Sequence, residues 1–482
     1  MQSQETRSGM GMQGNYCWSR TAICVEKRME ACGLILAFSQ RQKFGSRGEE
    51  GLVVALNISK MTQRQFILGK QGLYPGRRWQ GKAGVYEAVH AGCVVQMDPL
   101  SVVARSHDIV LYGRVLEYQP ADLDAVLYTD RSCFDYGGAI SIHPIEELTY
   151  WRVVMSRKQR EPRRVQFATE YADLVEMVYS AIRERGPLSA RDFTNRDLAP
   201  GASPKGSFRS DKAVNQTLYY LWIAGDLMTH SRKGLEHVYD LRERISPASL
   251  DHAATAEEAD AFFALKTFQK GGMLSAQEWK NWFAGTIQRP VSAGEARDRL
   301  DTLLKEGKIV SVMVEDPKTQ QFLLAEDFPL LEKLHTGTLP DAWQPLTTST
   351  RDEMVFLAPL DIVSTRGRAL PLFDFDYVWE VYKPQEKRRW GYYTLPILYQ
   401  ETLVARTDLR LERDTKTLAV KGFWLENHIS ADNPFITALV RAFKRFMQFV
   451  GAENLDGTAL SPILLRERVE ELIEDVENDQ GS

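Results

Sequence analysis

Twice between Tyr171 and Leu324 the chain runs helix, helix, helix, hairpin, and this recurrence limits its fold more than any other feature. In the first pass Tyr171–Arg185 sets Leu174, Val175, Val178 and Ile182 on one helical stripe and stops at Gly186-Pro187. Ser189 can cap a short helix through Phe193. After the Gly-, Pro- and Ser-rich loop Pro200–Ser210, Asp211 can cap Lys212–Ala224, whose Val214, Leu218 and Leu221 are spaced as a buried face. Leu227–His230 and Glu236–Leu241 then read as strands around Lys233-Gly234. In the second pass Ala256–Phe268 precedes Gly271-Gly272, Ser275 caps Ala276–Phe283 and Ser292 caps Ala293–Glu306. Lys308–Val314 and Gln320–Leu324 flank the turn Asp316-Pro317-Lys318. This is the order of a winged helix, and its repetition predicts duplicated domains.

On either side the pattern differs. Residues 1–52 carry Ser, Gln, Gly and Arg without steady periodicity and read as a poorly ordered extension, with Met29 and Met61 as alternative starts. From Ser59 onward, Ser59 caps a predicted helix over Met61–Lys70 and a second helix fits Gly84–Ala91. Cys93–Asp98 is a short extended run, and Leu100–Tyr112 reads as a third helix. From about Met354 the period drops to two: Val378–Tyr382, Tyr392–Leu398, Leu403–Leu411 and Thr417–Trp424 read as strands, closed by a helix over Phe435–Val450. The expected class is α+β: tandem winged-helix domains followed by a C-terminal antiparallel β-barrel-like domain. The expected boundaries are 1–52 (extension), 53–165 (first winged-helix-like, catalytic unit with a linker helix), 166–250, 251–335 (second and third winged-helix domains), 350–455 (β domain) and 456–482 (acidic helical tail, a solvated surface helix).

Charge first looks uninformative. Lys and Arg number 60 against 64 Asp and Glu, a formal net charge of −4, which excludes a histone-like coat for nucleic acid but not one basic face. No apolar run reaches the roughly 18 to 20 residues of a membrane helix, and Ala31–Phe38 lacks the flanks of a secretory signal. The five cysteines (Cys17, Cys24, Cys32, Cys93, Cys133) form no CxxC pair, which fits free thiols in a reducing cytoplasm. The expectation is a cytoplasmic, nucleoid-associated monomer with no membrane partner, no cofactor and no metal.

The chemistry narrows to one triplet. On the extended run Val95-Gln96-Met97-Asp98, Gln96 and Asp98 point to one face and Met97 to the other. A carboxylate beside an amide can orient a water, take its proton, or stabilise a developing cation. A plain surface strand end is the competing reading. Two basic clusters also stand out: Arg152, Arg157, Lys158, Arg160, Arg163 and Arg164, and Lys387-Arg388-Arg389 followed by Trp390, Tyr392 and Tyr393. Basic residues interleaved with aromatics suit phosphate contact with stacking; a solvated face and a sheet core would show the same composition. There is no P-loop, dinucleotide-binding glycine fingerprint, HExxH or GxSxG, and the eight histidines do not cluster with cysteines at zinc spacing.

The run Val95 to His107 (VQMDPLSVVARSH) resembles the AlkZ/YcaQ-like DNA glycosylases, as do Asp130–Tyr136 (DRSCFDY), Pro359-Leu360-Asp361, Phe373–Tyr377 and Lys387–Pro396. The resemblance covers roughly residues 55 to 450. It implies tandem winged-helix domains, a C-terminal β-barrel-like domain, excision of bulky N7-alkylated purines and, in some members, unhooking of interstrand crosslinks. The family motif is Gln, an apolar residue, then Gln or Asp; Gln96, Met97 and Asp98 match the Asp-bearing form, which goes with broader substrates. The chain departs from the family pattern at Pro99 and at Gly137-Gly138-Ala139, and no role is carried onto the latter.

The resemblance thus implies a monofunctional DNA glycosylase acting on double-stranded DNA with alkylated purines. Gln96 and Asp98 would be catalytic, with Asp98 stabilising an oxocarbenium-like sugar and accepting a proton from the water that Gln96 positions. Arg105, His107, Arg157, Lys158, Lys387, Arg388, Arg389 and Tyr392 would contact DNA, with the 387–393 loop as a groove probe. The rival expectations are a winged-helix transcription regulator without catalysis and a catalytically dead interaction module.

Overall fold

The computed structural model describes residues 56–193, 210–234, 236–315 and 318–480. The expected extension at 1–52 with its three cysteines, most of the Pro200–Ser210 loop and the Asp316-Pro317 turn lie outside them.

The cap residues read from sequence start their helices. The Ser59 hydroxyl accepts the Thr62 N–H at 3.1 Å, opening the helix Lys60–Lys70. Thr255 and Ser275 form reciprocal capping boxes with Glu258 and Glu278, and Ser292 accepts the Glu295 N–H at 3.0 Å. They open Ala256–Gly271, Ala276–Ile287 and Ala293–Lys305, which lead to the hairpin Ile309–Val314/Thr319–Leu324. The earlier pass runs Ala172–Arg185, a short 3₁₀ turn Ala190–Asp192, Ser210–Ala224 and the hairpin Leu227–Lys233/Glu236–Leu241. Its middle member is a single turn rather than a helix, and its last helix begins at Ser210, one residue ahead of the expected cap Asp211.

Two expectations need correction in the first unit. The second helix is Gly81–His90, three residues earlier at its start than the glycine pattern suggests. The third is only Ser106–Tyr112. Asp98 Oδ1 takes the Leu100 N–H at 2.8 Å and Arg105 is extended (φ −67°, ψ 138°), so residues 100–105 form a loop instead of a helix. Cys133–Tyr136 and Ser141–Pro144 form a hairpin, and the long helix Leu148–Gln159 leads away from it.

The C-terminal sheet has five strands in the order Val355–Phe356, Thr394–Tyr399, Thr402–Glu412, Thr417–Leu425, Asn454–Asp456, antiparallel except for the last pair. It curls into an open half-barrel, not a closed barrel. Val378–Tyr382 is not a strand of it: buried Glu380 pairs with Lys383 at 2.7 Å and accepts the Trp390 N–H at 2.7 Å, folding the stretch into a turn before Pro384. The helix Asn433–Val450, capped by Asp432, lays Phe435, Leu439, Phe443 and Phe446 into the curl. The acidic helix Ile463–Gln480 is not simply solvated, because Leu465, Val469 and Ile473 are buried in the same core.

That core also contains Val85, Val95, Met97, Ile109 and Val126, so the first unit and the sheet share one interior. A second core lies under the two hairpin-bearing passes, and a third joins Ile58 and Phe66 to Val312, Leu357 and Phe373. The strand Asn57–Ile58 pairs parallel with Met313–Val314, adding itself to the second hairpin. Among the described residues no helix is long and apolar enough to cross a membrane.

Candidate active site

Residues Val95 to Met97 run extended beside the Cys133–Tyr136/Ser141–Pro144 hairpin and join it through an isolated bridge. The Met97 N–H donates to Ile140 O at 2.8 Å, the Ile142 N–H to Val95 O at 3.1 Å, and Gln96 bridges to Ser141. Pairing fixes the alternation: Val95 and Met97 enter the core, while Gln96 and Asp98 stand half-buried on the opposite face.

Asp98 is held from two sides. Its carboxylate accepts the Leu100 N–H, and its own N–H donates to His107 Nδ1 at 3.4 Å. Burial raises the carboxyl pKa above the ordinary Asp value, opposed only by the Leu100 bond; among the described residues no cation holds it down. An aspartate so placed is a better proton acceptor than one in water.

The sequence places His107 among the DNA contacts; the structure buries its side chain. It is 3% exposed, and burial pulls its pKa down to about 4, so the ring is neutral at neutral pH. With Nδ1 accepting the Asp98 amide, the ring proton sits on Nε2. Arg105 is likewise committed within the fold. Its fork meets Asp108 at 2.5 and 3.1 Å, and Asp108 in turn accepts the Tyr118 hydroxyl at 2.6 Å.

The C-terminal half closes over this segment. Arg366 Nη2 donates to Gln96 Oε1 at 3.2 Å, Tyr393, fully buried, donates its hydroxyl to Ala104 O at 3.4 Å, and Arg413 reaches Ser101 O at 3.5 Å. Of these three, Arg366 and Arg413 were not foreseen as part of the site, and Tyr393 only as the end of the expected groove-probe loop 387–393. All three lie more than 250 positions from the motif, and only Tyr393 sat in a segment that the period-two pattern and the resemblance had marked.

The two basic clusters separate. Arg152 pairs with Asp251 at 3.1 Å, Arg157 with Asp260 at 2.9 Å, and Lys158 and Arg164 both with Glu161. Arg157 also donates to Ile287 O, tying its helix to the second hairpin unit. Arg157 and Lys158, both expected at DNA, are thus engaged in ion pairs of the fold and only partly exposed; Arg160 and Arg163 of the cluster are exposed. Lys387 and Arg389 are exposed and Arg388 partly so, with Arg388 over the Tyr392 ring and Arg389 over Trp390. Tyr382, at 85% exposure, stands on the same loop. The Tyr392 and Tyr393 N–H groups both donate to Asp408 at 3.0 Å, so the loop has a fixed base.

The other marked motifs are structural. Asp135 pairs with Arg232 at 2.6 Å, Arg131 donates to Thr229 O and His230 O, and Asp361 pairs with Arg114 at 2.8 Å with both side chains buried. Among the described residues no three His, Cys, Asp or Glu side chains are grouped to hold a metal ion.

The family model described as "DNA glycosylase AlkZ-like" matches residues 89–449, a span that contains every element of the site. The solved structure of a Streptomyces sahachiroi DNA glycosylase AlkZ superposes with a TM-score of 0.56 at 15% sequence identity, covering 83% of this chain and 99% of that one. At that identity the likeness speaks to the fold.

Proposed function

The chain belongs to the AlkZ-like DNA glycosylase family, and from that premise we propose that it hydrolyses the N-glycosidic bond of N7-alkylated purines in duplex DNA, with Asp98 and Gln96 performing the chemistry. The observation that carries the reading is the half-buried Asp98 carboxylate, its pKa raised by burial, sharing one face with Gln96 at the seam between the first unit and the sheet.

The steps follow from the charges. N7 alkylation makes the purine cationic, so the C1′–N9 bond breaks with its electron pair passing to N9, and positive charge builds on the sugar. The Asp98 carboxylate stabilises that oxocarbenium-like sugar. Asp98 Oδ1 is engaged by Leu100, which leaves Oδ2 to take a proton from the attacking water as its oxygen bonds to C1′. Gln96 orients that water. The products are the free alkylpurine, an abasic site and a protonated Asp98 that returns its proton to solvent. The triplet holds no lysine for a Schiff base, so no strand cleavage is expected.

Interstrand crosslinks are the proposed larger substrates. We read the two helix–hairpin passes as the winged-helix domains 166–250 and 251–335, and 53–165 as the catalytic unit. The order of elements supports this. Lys387, Arg388, Arg389 and Tyr392 are the proposed duplex contacts. One chain supplies every group at the site, so a monomer suffices. A regulator without catalysis would have no use for a half-buried carboxylate facing the seam.

The test is excision from duplexes carrying N7-methylguanine, larger N7-alkyl guanines and a mustard crosslink, by wild type and Asp98→Asn. Each catalytic contribution is of order 10²-fold, so the variant should bind normally and excise about 10²-fold more slowly. Equal excision by both would overturn the role of Asp98; no excision by wild type would overturn the substrate class.

A further inference from the structure

The bond from Arg366 to Gln96 joins residues 270 positions apart and ties the C-terminal half directly to the Gln96/Asp98 pair. Arg366 is exposed, yet it rises from a loop whose flanks are fixed. Asp361 to Ser364 are buried on one side, and Arg368, 3% exposed, donates to Gly271 O at 3.0 Å on the other. The backbone turns through two left-handed residues, Arg366 at φ 55° and Gly367 at φ 79°. A long cationic side chain in that conformation is costly to keep, and such residues persist where the surroundings over-determine them.

A glutamine amide has one accepting end and one donating end, and which end faces the reactants decides what it can do. With Arg366 donating to Oε1, the amide cannot flip without losing a charge-assisted bond. The Nε2 end is then the one left to donate to the oxygen of a water whose proton is directed at Asp98. That water would have one lone pair held by Gln96, one hydrogen held by Asp98, and a second lone pair for C1′. Were the amide reversed, the water would give one hydrogen to Gln96 and the other to Asp98, and Gln96 would no longer hold its oxygen by a donated bond.

We propose that Arg366 is a positioning residue that fixes the amide orientation of Gln96 and so orients the nucleophilic water, a role that rests on the hydrolytic reading of Gln96 and Asp98.

The experiment is a double-mutant cycle on the full chain. Single-turnover excision of N7-methylguanine and duplex affinity are measured for wild type, Arg366→Ala, Gln96→Ala and the double variant. Arg366→Gly serves as the second variant because glycine suits the left-handed backbone, and a melting temperature accompanies each. Arg366→Ala and Arg366→Gly should lower the single-turnover rate about tenfold with affinity changed less than about threefold, since misorientation costs rate and not binding. In the Gln96→Ala background the same change should cost almost nothing. Guanidinium ion should restore part of the rate of Arg366→Gly, and sodium chloride at equal ionic strength should not. A loss of equal size in both backgrounds, or one confined to affinity, makes Arg366 an independent phosphate contact and overturns the proposal. A wild type inactive on every alkylpurine overturns the hydrolytic reading itself, and the proposal with it.

Discussion

The backbone N–H of Asp98 donates to Nδ1 of His107 at 3.4 Å, so the extended segment that carries the carboxylate is held by a neutral, buried imidazole at the start of the next helix. Burial holds the His107 pKa at about 4 in the fold, against 6.5 in an unfolded chain, and His237 is lowered to about 4 by the same cause. The unfolded chain therefore binds more protons than the native one between these values. The stability contributed by the neutral rings is complete above about pH 6.5 and is lost as the pH falls toward 4, at up to about 1.4 kcal/mol per pH unit for each ring. Denaturant midpoints measured across this window should fall with acid. His107→Gln, which keeps an acceptor but cannot be protonated, should flatten part of that fall while excision stays within severalfold. Superimposable pH profiles for wild type and variant would overturn the assignment.

The two basic clusters should respond oppositely. Lys387, Arg388 and Arg389 line an exposed loop whose cations stack on Tyr392 and Trp390. Changing all three to Gln should weaken duplex binding regardless of sequence and reduce the slope of log K against log salt by about 0.9 for each phosphate no longer neutralised. Arg157→Gln should leave that slope alone. It removes one partner of Asp260 and the bond to Ile287 O, while Arg289 still meets Asp260 at 2.6 Å, so it should cost about 1–2 kcal/mol of stability. A slope moved by Arg157→Gln and untouched by the loop variant would reverse the assignment.

What the sequence shows and what it hides is a matter of range. The face shared by Gln96 and Asp98 follows from a period of two over four residues, and cap residues such as Ser59 or Thr255 act within one turn, so both are local and legible. The partners of Arg152 and Arg157, Asp251 and Asp260, lie about a hundred positions downstream, and nothing in the local pattern announces them, whereas Glu161, the partner of Lys158 and Arg164, is local. The same holds for His107, which its place beside Arg105 does not show to be buried. Val378–Tyr382 alternates as a strand does, but the Glu380 carboxylate captures the Trp390 N–H and a side-chain bond replaces the ladder. Periodicity reports which way a residue faces. It does not report what it will meet.

Gly391 has φ 120°, and a Cβ there would lie 2.1 Å from Asp408 Oδ2. That carboxylate cannot simply swing aside, because it accepts the Tyr392 and Tyr393 N–H groups at 3.0 Å each. Gly391→Ala should therefore lose at least one of these bonds and destabilise the chain by about 1–3 kcal/mol, measured by equilibrium denaturation. Since Tyr393 also reaches Ala104 O in the loop after Asp98, the excision rate should fall beyond what the unfolded fraction explains. A variant as stable as wild type would show that the Asp408 bonds are dispensable.

Arg114 and Asp361 join the first unit to the loop that ends in Arg366. Their charges meet at 2.8 Å with side chains 1% and 0% exposed, and Arg114 also donates to Gln71 O at 2.8 Å and Val110 O at 2.9 Å. A buried pair is weak evidence for net stability, but breaking it from one side leaves an uncompensated charge. Arg114→Met should destabilise by about 3–5 kcal/mol, whereas Arg114→Met with Asp361→Leu should recover a substantial part of that loss. The Val363 N–H also donates to Asp361, so removing the carboxylate frees the anchor of the Arg366 loop. The double variant should therefore regain stability without regaining the excision rate. If rate returned together with stability, the pair would serve only to hold the fold and the loop would owe its geometry to other bonds.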